Sequence, residues 1–174
     1  MENANNRREK VLKLINESNE PINATVLAGK LGVSRQAIVG DVAILRAAGH
    51  QIIATARGYL TEKPNNDTTY IRKIACQHTP EQTRDELYLL MDLGAIVEDV
   101  IIEHDVYGEL TGLLRLSSRY DVDLFIERLH SSGAKLLSEL TQGIHLHTIR
   151  CQSEAHFDKI ITVMQAAGLL VNED

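Results

Sequence analysis

Two helical patterns separated by only two residues constrain the fold of the first third of the chain. Residues 24–31 form the first pattern behind the N-cap candidate Asn23, and Gly32 ends it as a residue that tolerates positive φ. Ser34 then begins a second pattern, which runs to about Ala48 and repeats apolar residues on one face. Two helices joined by so short a glycine-containing turn predict a helix-turn-helix, whose second helix enters the major groove of DNA.

The flanking segments predict a winged form of this motif. An amphipathic helix is expected at residues 6–18, and residues 51–61 predict a small hairpin that turns at Arg57-Gly58. Five polar side chains at the ends of the second helix or at the hairpin tip can reach phosphates or base edges: Ser34, Arg35, Gln36, Arg46 and Arg57. The alternative is a three-helix module that binds another protein, but the basic residues at these positions favour DNA.

Charge divides the chain into two parts, although the net charge of −6 by itself suggests no nucleic-acid partner. Residues 1–63 contain nine lysines and arginines and six acidic residues, a net charge of +3. Residues 64–174 contain nine lysines and arginines and eighteen acidic residues, a net charge of −9. The polar stretch 63–68 contains Pro64 and is the expected boundary. We therefore predict a DNA-binding domain at residues 1–63 and a regulatory domain at residues 69–174.

Other properties of the sequence bear on where the protein works. No apolar run approaches the roughly 18–20 residues needed to cross a bilayer, and the polar first eight residues do not resemble a signal peptide. Cys76 and Cys151 match no paired-cysteine motif. We therefore expect a cytoplasmic protein with no disulfide and no membrane partner.

The second domain mixes strands and helices without a regular alternation. Strands are predicted at 69–78, 96–104, 134–140 and 144–151, and helices at 79–93, 121–132 and 153–167. The last two strands are expected to form a hairpin around Thr141-Gln142-Gly143. The whole pattern indicates an α+β fold, in which the winged helix-turn-helix precedes a two-layer domain of a small, mainly antiparallel sheet backed by helices.

Three histidines and a glutamate make the second domain a candidate metal site. His145 and His147 occupy positions i and i+2 of a predicted strand, so their imidazoles share one face. His78 lies at a strand–helix junction, and Glu86 lies on the following helix, where its position predicts a carboxylate at the rim of the core. This set suits zinc, nickel, iron or manganese, but the spacing alone leaves open whether the four side chains meet.

Both domains resemble parts of a known bacterial family. Residues 7–61 resemble the winged helix-turn-helix of the biotin-operon-repressor type, except that Gly40 stands where such proteins usually carry a larger residue. Residues 69–171 resemble the three-histidine domain of niacin-responsive transcription repressors. The features that carry these likenesses are His78 and residues 27–36, 56–59, 83–87, 105–110 and 140–149.

The resemblance implies a function and a set of ligands. Such a protein is expected to be a homodimer that binds double-stranded operator DNA, with nicotinic acid as corepressor, and to control genes of NAD synthesis or niacin uptake. The family's metal ligands correspond to His78, Glu86, His145 and His147. His104 and Tyr107, in or beside the 105–110 motif, are candidates for contact with the organic ligand.

Two other functions fit the same residues. A repressor that senses metal alone would need no organic ligand, and a three-histidine site with an open coordination position could make a metal-dependent hydrolase fused to a DNA-binding module. No general-acid or nucleophile motif accompanies the histidines, so we expect no enzyme. Arg72, Arg115 and Arg150 could each neutralise a ligand carboxylate, and nothing in the sequence ranks them above ordinary surface charges.

Overall fold

The computed structural model of the chain describes residues 4–62 and 69–172. The chain divides into two compact units, residues 1–65 and residues 66–174. The predicted linker at residues 63–68 lies outside the described residues. Within the two described ranges, no helix is long and apolar enough to cross a membrane.

The first unit is a three-helix module with a two-stranded wing. Its elements are α1 (Ala4–Glu17), α2 (Ala24–Leu31), α3 (Arg35–Ala47), β1 (Ile52–Thr55) and β2 (Gly58–Thr61). The inner stripes of the three helices enclose one core, in which Ile15, Leu27 and Ile38 are fully buried. The predicted winged helix-turn-helix is confirmed.

Side-chain caps begin both α2 and α3. Asn23 Oδ1 accepts the Val26 N–H at 2.9 Å, and Ser34 Oγ accepts the Ala37 N–H at 3.1 Å. Between the helices, Gly32 adopts φ +65°, the left-handed conformation that ends α2. These caps satisfy N–H groups that a helix start leaves without partners, so both helices begin where the sequence predicts.

The hairpin turns one residue earlier than predicted, because Gly58 has a different role. The two turn residues are Ala56 and Arg57, and Gly58 is the first residue of β2. Ile22 and Tyr59 exchange two backbone hydrogen bonds, of 2.9 and 2.8 Å, which adds a third short strand segment to the wing. A Cβ on Gly58 would lie 2.5 Å from the Ile22 carbonyl carbon. The glycine therefore allows this third segment to approach.

The second unit is a four-stranded antiparallel sheet with helices on one side. Its strands are β3 (Tyr70–Gln77), β4 (Ile96–His104), β5 (Gly108–Leu116) and β6 (Ile144–Cys151). Its helices are α4 (Thr83–Asp92), α5 (Arg119–Ser132) and α6 (Glu154–Ala166). The strand order is β3-β6-β4-β5, and α4 packs against α5 and α6 while α6 packs against β3. This is the predicted two-layer α+β architecture.

Two details of the sheet differ from the prediction. The strand expected at 134–140 does not form, because β6 is already paired on both edges, with β3 and with β4. Leu137–Thr141 is instead a 3₁₀ helix that ends at Gln142 with φ +53°. Conversely, β5 was not predicted, although Leu110, Leu114 and Leu116 carry a period-two pattern after the turn at 105–107.

Candidate metal centre

The edge strand β3, its neighbour β6 and the helix α4 bring the four predicted donor residues together. On β6, the period of two places His145 and His147 on the inner face, where each is 3% exposed. His78 follows the end of β3, the strand that pairs with β6, and Glu86 projects from the first turns of α4. Glu86 is 1% exposed, so it lies inside the core and not at its rim as expected.

The three imidazoles converge on one carboxylate. His78 Nε2 lies 2.6 Å from Glu86 Oε2. His145 Nε2 and His147 Nε2 lie 3.3 and 3.5 Å from Glu86 Oε1. Neighbouring rings stand edge to face, with centroids 4.9 Å apart for His78 and His145 and 4.8 Å apart for His145 and His147. All four side chains therefore point their donor atoms at the same small volume.

Backbone carbonyls fix the orientation of each ring. The Nδ1–H groups of His78, His145 and His147 donate to the carbonyls of Thr79 at 2.8 Å, Gly143 at 2.8 Å and Asp99 at 2.6 Å. A carbonyl can only accept, so Nδ1 carries a proton in all three rings, and in a neutral ring Nε2 presents a lone pair inward. Such outer hydrogen bonds set the tautomer and orientation of histidines that bind metals.

The chemistry of this donor set fits a divalent transition metal. Three Nε2 lone pairs and the Glu86 carboxylate are all acceptors, and they face one another in a buried site. Acceptors this close repel unless a cation lies among them, either protons on the rings or a metal ion. Imidazole nitrogens with one carboxylate form a common ligand set for zinc and for other first-row transition metals.

The pKa values show how strongly the site favours positive charge. Burial alone would raise the pKa of Glu86, but the charge of His147 and hydrogen bonds from the histidines hold it well below the usual range. Burial would lower the pKa of His78 and His147, yet the hydrogen bond and charge of Glu86 raise both. The carboxylate is therefore ionised at neutral pH, and without a metal His78 and His147 retain protons to a higher pH than usual.

Gly143 permits the close approach on which this geometry depends. Its φ is +90°, and a Cβ at this position would lie 2.4 Å from the carbonyl oxygen of His78. The same glycine supplies the carbonyl that orients His145. Since one residue contacts His78 and orients His145, it holds the ends of β3 and β6 in register at the site. The sequence predicted only its part in a turn.

Cys76, which matches no paired-cysteine motif in the sequence, is a fifth candidate donor. It lies opposite His145 in the β3–β6 register and is fully buried. Its Sγ, a carboxylate oxygen of Glu86 and a ring nitrogen of His145 all lie within 4.8 Å of one another. Burial, and then the negative charge of Glu86, raises the pKa of the thiol far above its usual range. The available signal was its spacing of two residues from His78 on one strand.

The two predicted ligand-contact residues lie at the turn between β4 and β5. His104 Nδ1 accepts the N–H groups of Val106 and Tyr107 at 3.1 and 3.3 Å, and Tyr107 is 74% exposed. His104 lines a cavity of about 540 Å³ that includes none of the four donor residues. A second cavity, of about 510 Å³, contains His78 and Gly143 in its wall. His104 therefore belongs to a different cavity from the metal centre.

The three arginines considered for a ligand carboxylate have other partners. Arg150 Nε donates to Glu98 Oε1 at 2.7 Å, and Arg115 Nη1 lies 3.0 Å from Glu98 Oε2. The guanidinium of Arg72 lies 4.4 Å from the centroid of the Tyr70 ring. None of the three lines the cavity beside His78.

The predicted DNA-contact residues lie at the ends of α3 and at the hairpin tip. Ser34 caps α3, so its hydroxyl oxygen is engaged with the helix start. Arg35, Gln36 and Arg46 are exposed on α3. Arg57 Nη2 lies 3.0 Å from the exposed carboxylate of Glu20. Surface ion pairs contribute only about 0–1 kcal/mol, so a phosphate could replace Glu20 as the partner.

Comparison with known proteins agrees with this architecture. Residues 7–60 match an HTH domain model, and residues 71–173 match the model of the 3H domain. The chain is 41% identical over 170 residues to "Transcription repressor NadR" of Bacillus subtilis (strain 168), covering 97% of this chain and 94% of that protein. It is 35% identical over 167 residues to "Probable transcription repressor NiaR" of Thermotoga maritima, covering 96% and 94%.

The chain belongs to the 3H-domain family of transcription repressors. Its first unit is the DNA-binding helix-turn-helix of such a repressor. The 3H-domain match includes all four predicted metal-binding residues and Cys76. The buried polar cluster is therefore part of the repressor's second domain.

Replacing Gly143 with alanine should weaken metal binding by about 10–100-fold, because the new Cβ displaces His78 and with it one imidazole. Metal content after dialysis and direct titration with zinc would measure the loss. Gly133→Ala is the matched control, since Gly133 has φ +67° but nothing lies within 4 Å of an added Cβ. Equal zinc affinity in the two variants would contradict the role of Gly143.

Metal binding should release protons near neutral pH, because His78 and His147 hold protons to a raised pKa that the metal must displace. Zinc affinity should therefore fall as the pH drops through the pKa values of His78 and His147, which Glu86 raises above the ordinary histidine value. Titration calorimetry of zinc in buffers of different ionisation enthalpy measures the number of protons released. No release at pH 7 would show that the rings were already neutral.

Cobalt(II) bound to the protein should show sulfur-to-metal charge-transfer absorption in the near ultraviolet, because the Cys76 thiol lies within reach of an ion held by Glu86 and His145. Cys76→Ser should remove this absorption, and Cys151→Ser, a buried cysteine at the other end of the sheet, should leave it unchanged. Identical spectra for wild type and Cys76→Ser would reduce Cys76 to a packing role.

Proposed function

We propose that this chain represses genes of NAD synthesis or niacin uptake, with a divalent transition metal and nicotinic acid bound in its second domain. The observation that carries the proposal is the convergence of three oriented Nε2 lone pairs on the buried Glu86, in a chain whose other unit is a DNA-binding helix-turn-helix. The names of the two relatives, a NadR and a NiaR transcription repressor, support the choice of regulated genes.

His78, Glu86, His145 and His147 would hold the metal, and the chemistry of these donors suits zinc, nickel, iron or manganese. When bound, the metal would supply a Lewis-acid centre that attracts the carboxylate or ring nitrogen of nicotinic acid. The cavity of about 510 Å³ at His78 has the size of a small-molecule site. The residues in its wall include Gln77, Gln82 and Gln142, whose side-chain amides can donate hydrogen bonds to a carboxylate, and one acidic residue, Glu139.

DNA binding would use two copies of the chain. A homodimer would place its two α3 helices on the two halves of a palindromic operator in the cytoplasm. The residues that would contact the operator are Ser34, Arg35, Gln36, Arg46 and Arg57. Nicotinic acid would act as corepressor only by binding more tightly to the DNA-competent dimer than to other states. Coupling between two such sites typically amounts to about 1–3 kcal/mol.

Two other functions use the same residues differently. A metal-sensing repressor needs the four donors but no organic ligand, so it differs from our proposal at the cavity beside His78. A metal-dependent hydrolase fused to a DNA-binding module would need a water on the metal as nucleophile. Membership in a family of repressors favours regulation over hydrolysis, and we propose no enzymatic activity.

Calorimetric titration of nicotinic acid into zinc-loaded protein tests the proposal. Binding should occur with the metal, disappear after chelation and disappear in His145→Ala, because that variant loses one of three imidazoles. His130→Ala is the control, since His130 is exposed on α5 and should bind as wild type. Binding that survives chelation would contradict a metal-assisted ligand site. If nicotinic acid does not bind to the metal-loaded protein, the repressor that senses metal alone becomes the better account.

A further inference from the structure

The outward face of α3 carries almost no side chain that can form a hydrogen bond. Ile38, Val42 and Leu45 point into the core of the first unit. With 3.6 residues per turn, the opposite stripe contains Gln36, Gly40, Ala43 and Ala47, all exposed. Ile44 lies beside this stripe and is 52% exposed. Four of these five positions are therefore small or apolar.

Gly40 in the middle of this stripe has no role in the packing of the unit. A Cβ added at Gly40 would meet no atom within 4 Å, so the fold does not require the absence of a side chain. Glycine inside a helix is also less stable than alanine. What glycine provides here is a flat place on the surface, where the backbone of α3 can approach a partner closely.

Charge at the two ends of α3 points to DNA as the partner of this flat face. Arg35 lies in the first turn and Arg46 in the last turn, and both are exposed. Basic side chains at these ends can neutralise phosphates on either side of the major groove, which positions the helix without selecting a sequence. Selection among base pairs then depends on the side chains between them.

The chemistry of these side chains selects A·T base pairs. In the major groove only thymine presents a methyl group, and apolar side chains recognise thymine through it. Glutamine forms two hydrogen bonds with adenine, through N6 and N7. Guanine is usually recognised by arginine or lysine, and neither occurs among the five outward residues. The outward face thus matches thymine and adenine better than guanine and cytosine.

We propose that α3 reads A·T pairs in each half-site, with Ile44 and Ala43 against thymine methyl groups, Gln36 on an adenine and Gly40 allowing the close approach. This inference rests on the DNA-binding function proposed above. The sequence analysis named polar side chains as candidates for contact with DNA. Of the residues assigned here to the bases, only Gln36 belongs to that set.

Replacement of thymine by deoxyuridine tests the inference, because it removes the methyl group and leaves base pairing intact. Full-length protein with zinc and nicotinic acid would first select duplexes from a random library. Each thymine of the selected half-site is then replaced in turn, and the Kd is measured by fluorescence anisotropy. At one or more positions we expect binding to weaken by about fourfold for each buried methyl group lost.

The Ile44→Ala variant identifies the side chain that contacts the methyl group. In this variant the deoxyuridine substitution at one position should no longer weaken binding, because the partner of the methyl group is gone. Val26→Ala is the matched control, since Val26 is a similarly exposed apolar residue on α2 and should keep the full sensitivity. Gly40→Gln should weaken binding to every selected duplex without destabilising the fold.

Three outcomes would overturn the inference, and they are distinguishable from failure of the proposed function. Equal affinity for thymine and deoxyuridine duplexes at every position would exclude methyl reading. If the Ile44→Ala variant keeps its full sensitivity to deoxyuridine, a residue other than Ile44 contacts the methyl group. If the selected half-sites are rich in G·C pairs, α3 does not prefer A·T pairs. Enrichment of no duplex at all would instead refute the proposed operator binding, and the inference would fall with it.

Discussion

A buried carboxylate among three imidazoles is the constraint on which the second unit depends. An isolated charge in a protein interior costs several kcal/mol, and Glu86 is almost completely buried. The cost is offset only if cations or hydrogen-bond donors lie on all sides of the carboxylate. His78 after β3 and the two histidines of β6 surround the carboxylate that α4 supplies, so one ionised group ties together three separate parts of the chain.

The site is coupled to the backbone because each ring is held by a carbonyl. Thr79, Gly143 and Asp99 supply these carbonyls from a helix start, a turn and the irregular part of β4. A change at the donor atoms is therefore transmitted directly to main-chain segments. Gly143 and His78 also line the adjacent cavity, so occupation of that cavity and the geometry of the donor set affect the same two residues. In the proposed repressor, this arrangement would couple a small ligand to a metal without a long chain of intermediate contacts.

The sequence predicted the local parts of this structure better than the long-range ones. Period-two spacing placed His145 and His147 on one face, and the caps at Asn23 and Ser34 placed α2 and α3, because these features depend on neighbouring residues. The partner strands of β6 contain residues between 45 and 81 positions away, so 134–140 was wrongly expected to pair with it. The prediction that Glu86 lies at the rim of the core was wrong for the same reason, because its burial depends on α5 and α6, which cover its helix.

The first unit also contains a buried carboxylate that is held by an oppositely charged side chain. Asp41 lies inside α3 and receives two hydrogen bonds from Arg7 of α1, at 2.6 and 3.0 Å. Such a bidentate pair fixes the rotation of α3 as well as its position, because the planar guanidinium matches the carboxylate in one orientation. The acidic group is thereby held on the inner side of the helix, away from a polyanionic partner. The outer side is left to Gln36, Gly40 and Ile44, so a contact within the protein decides which residues can meet DNA.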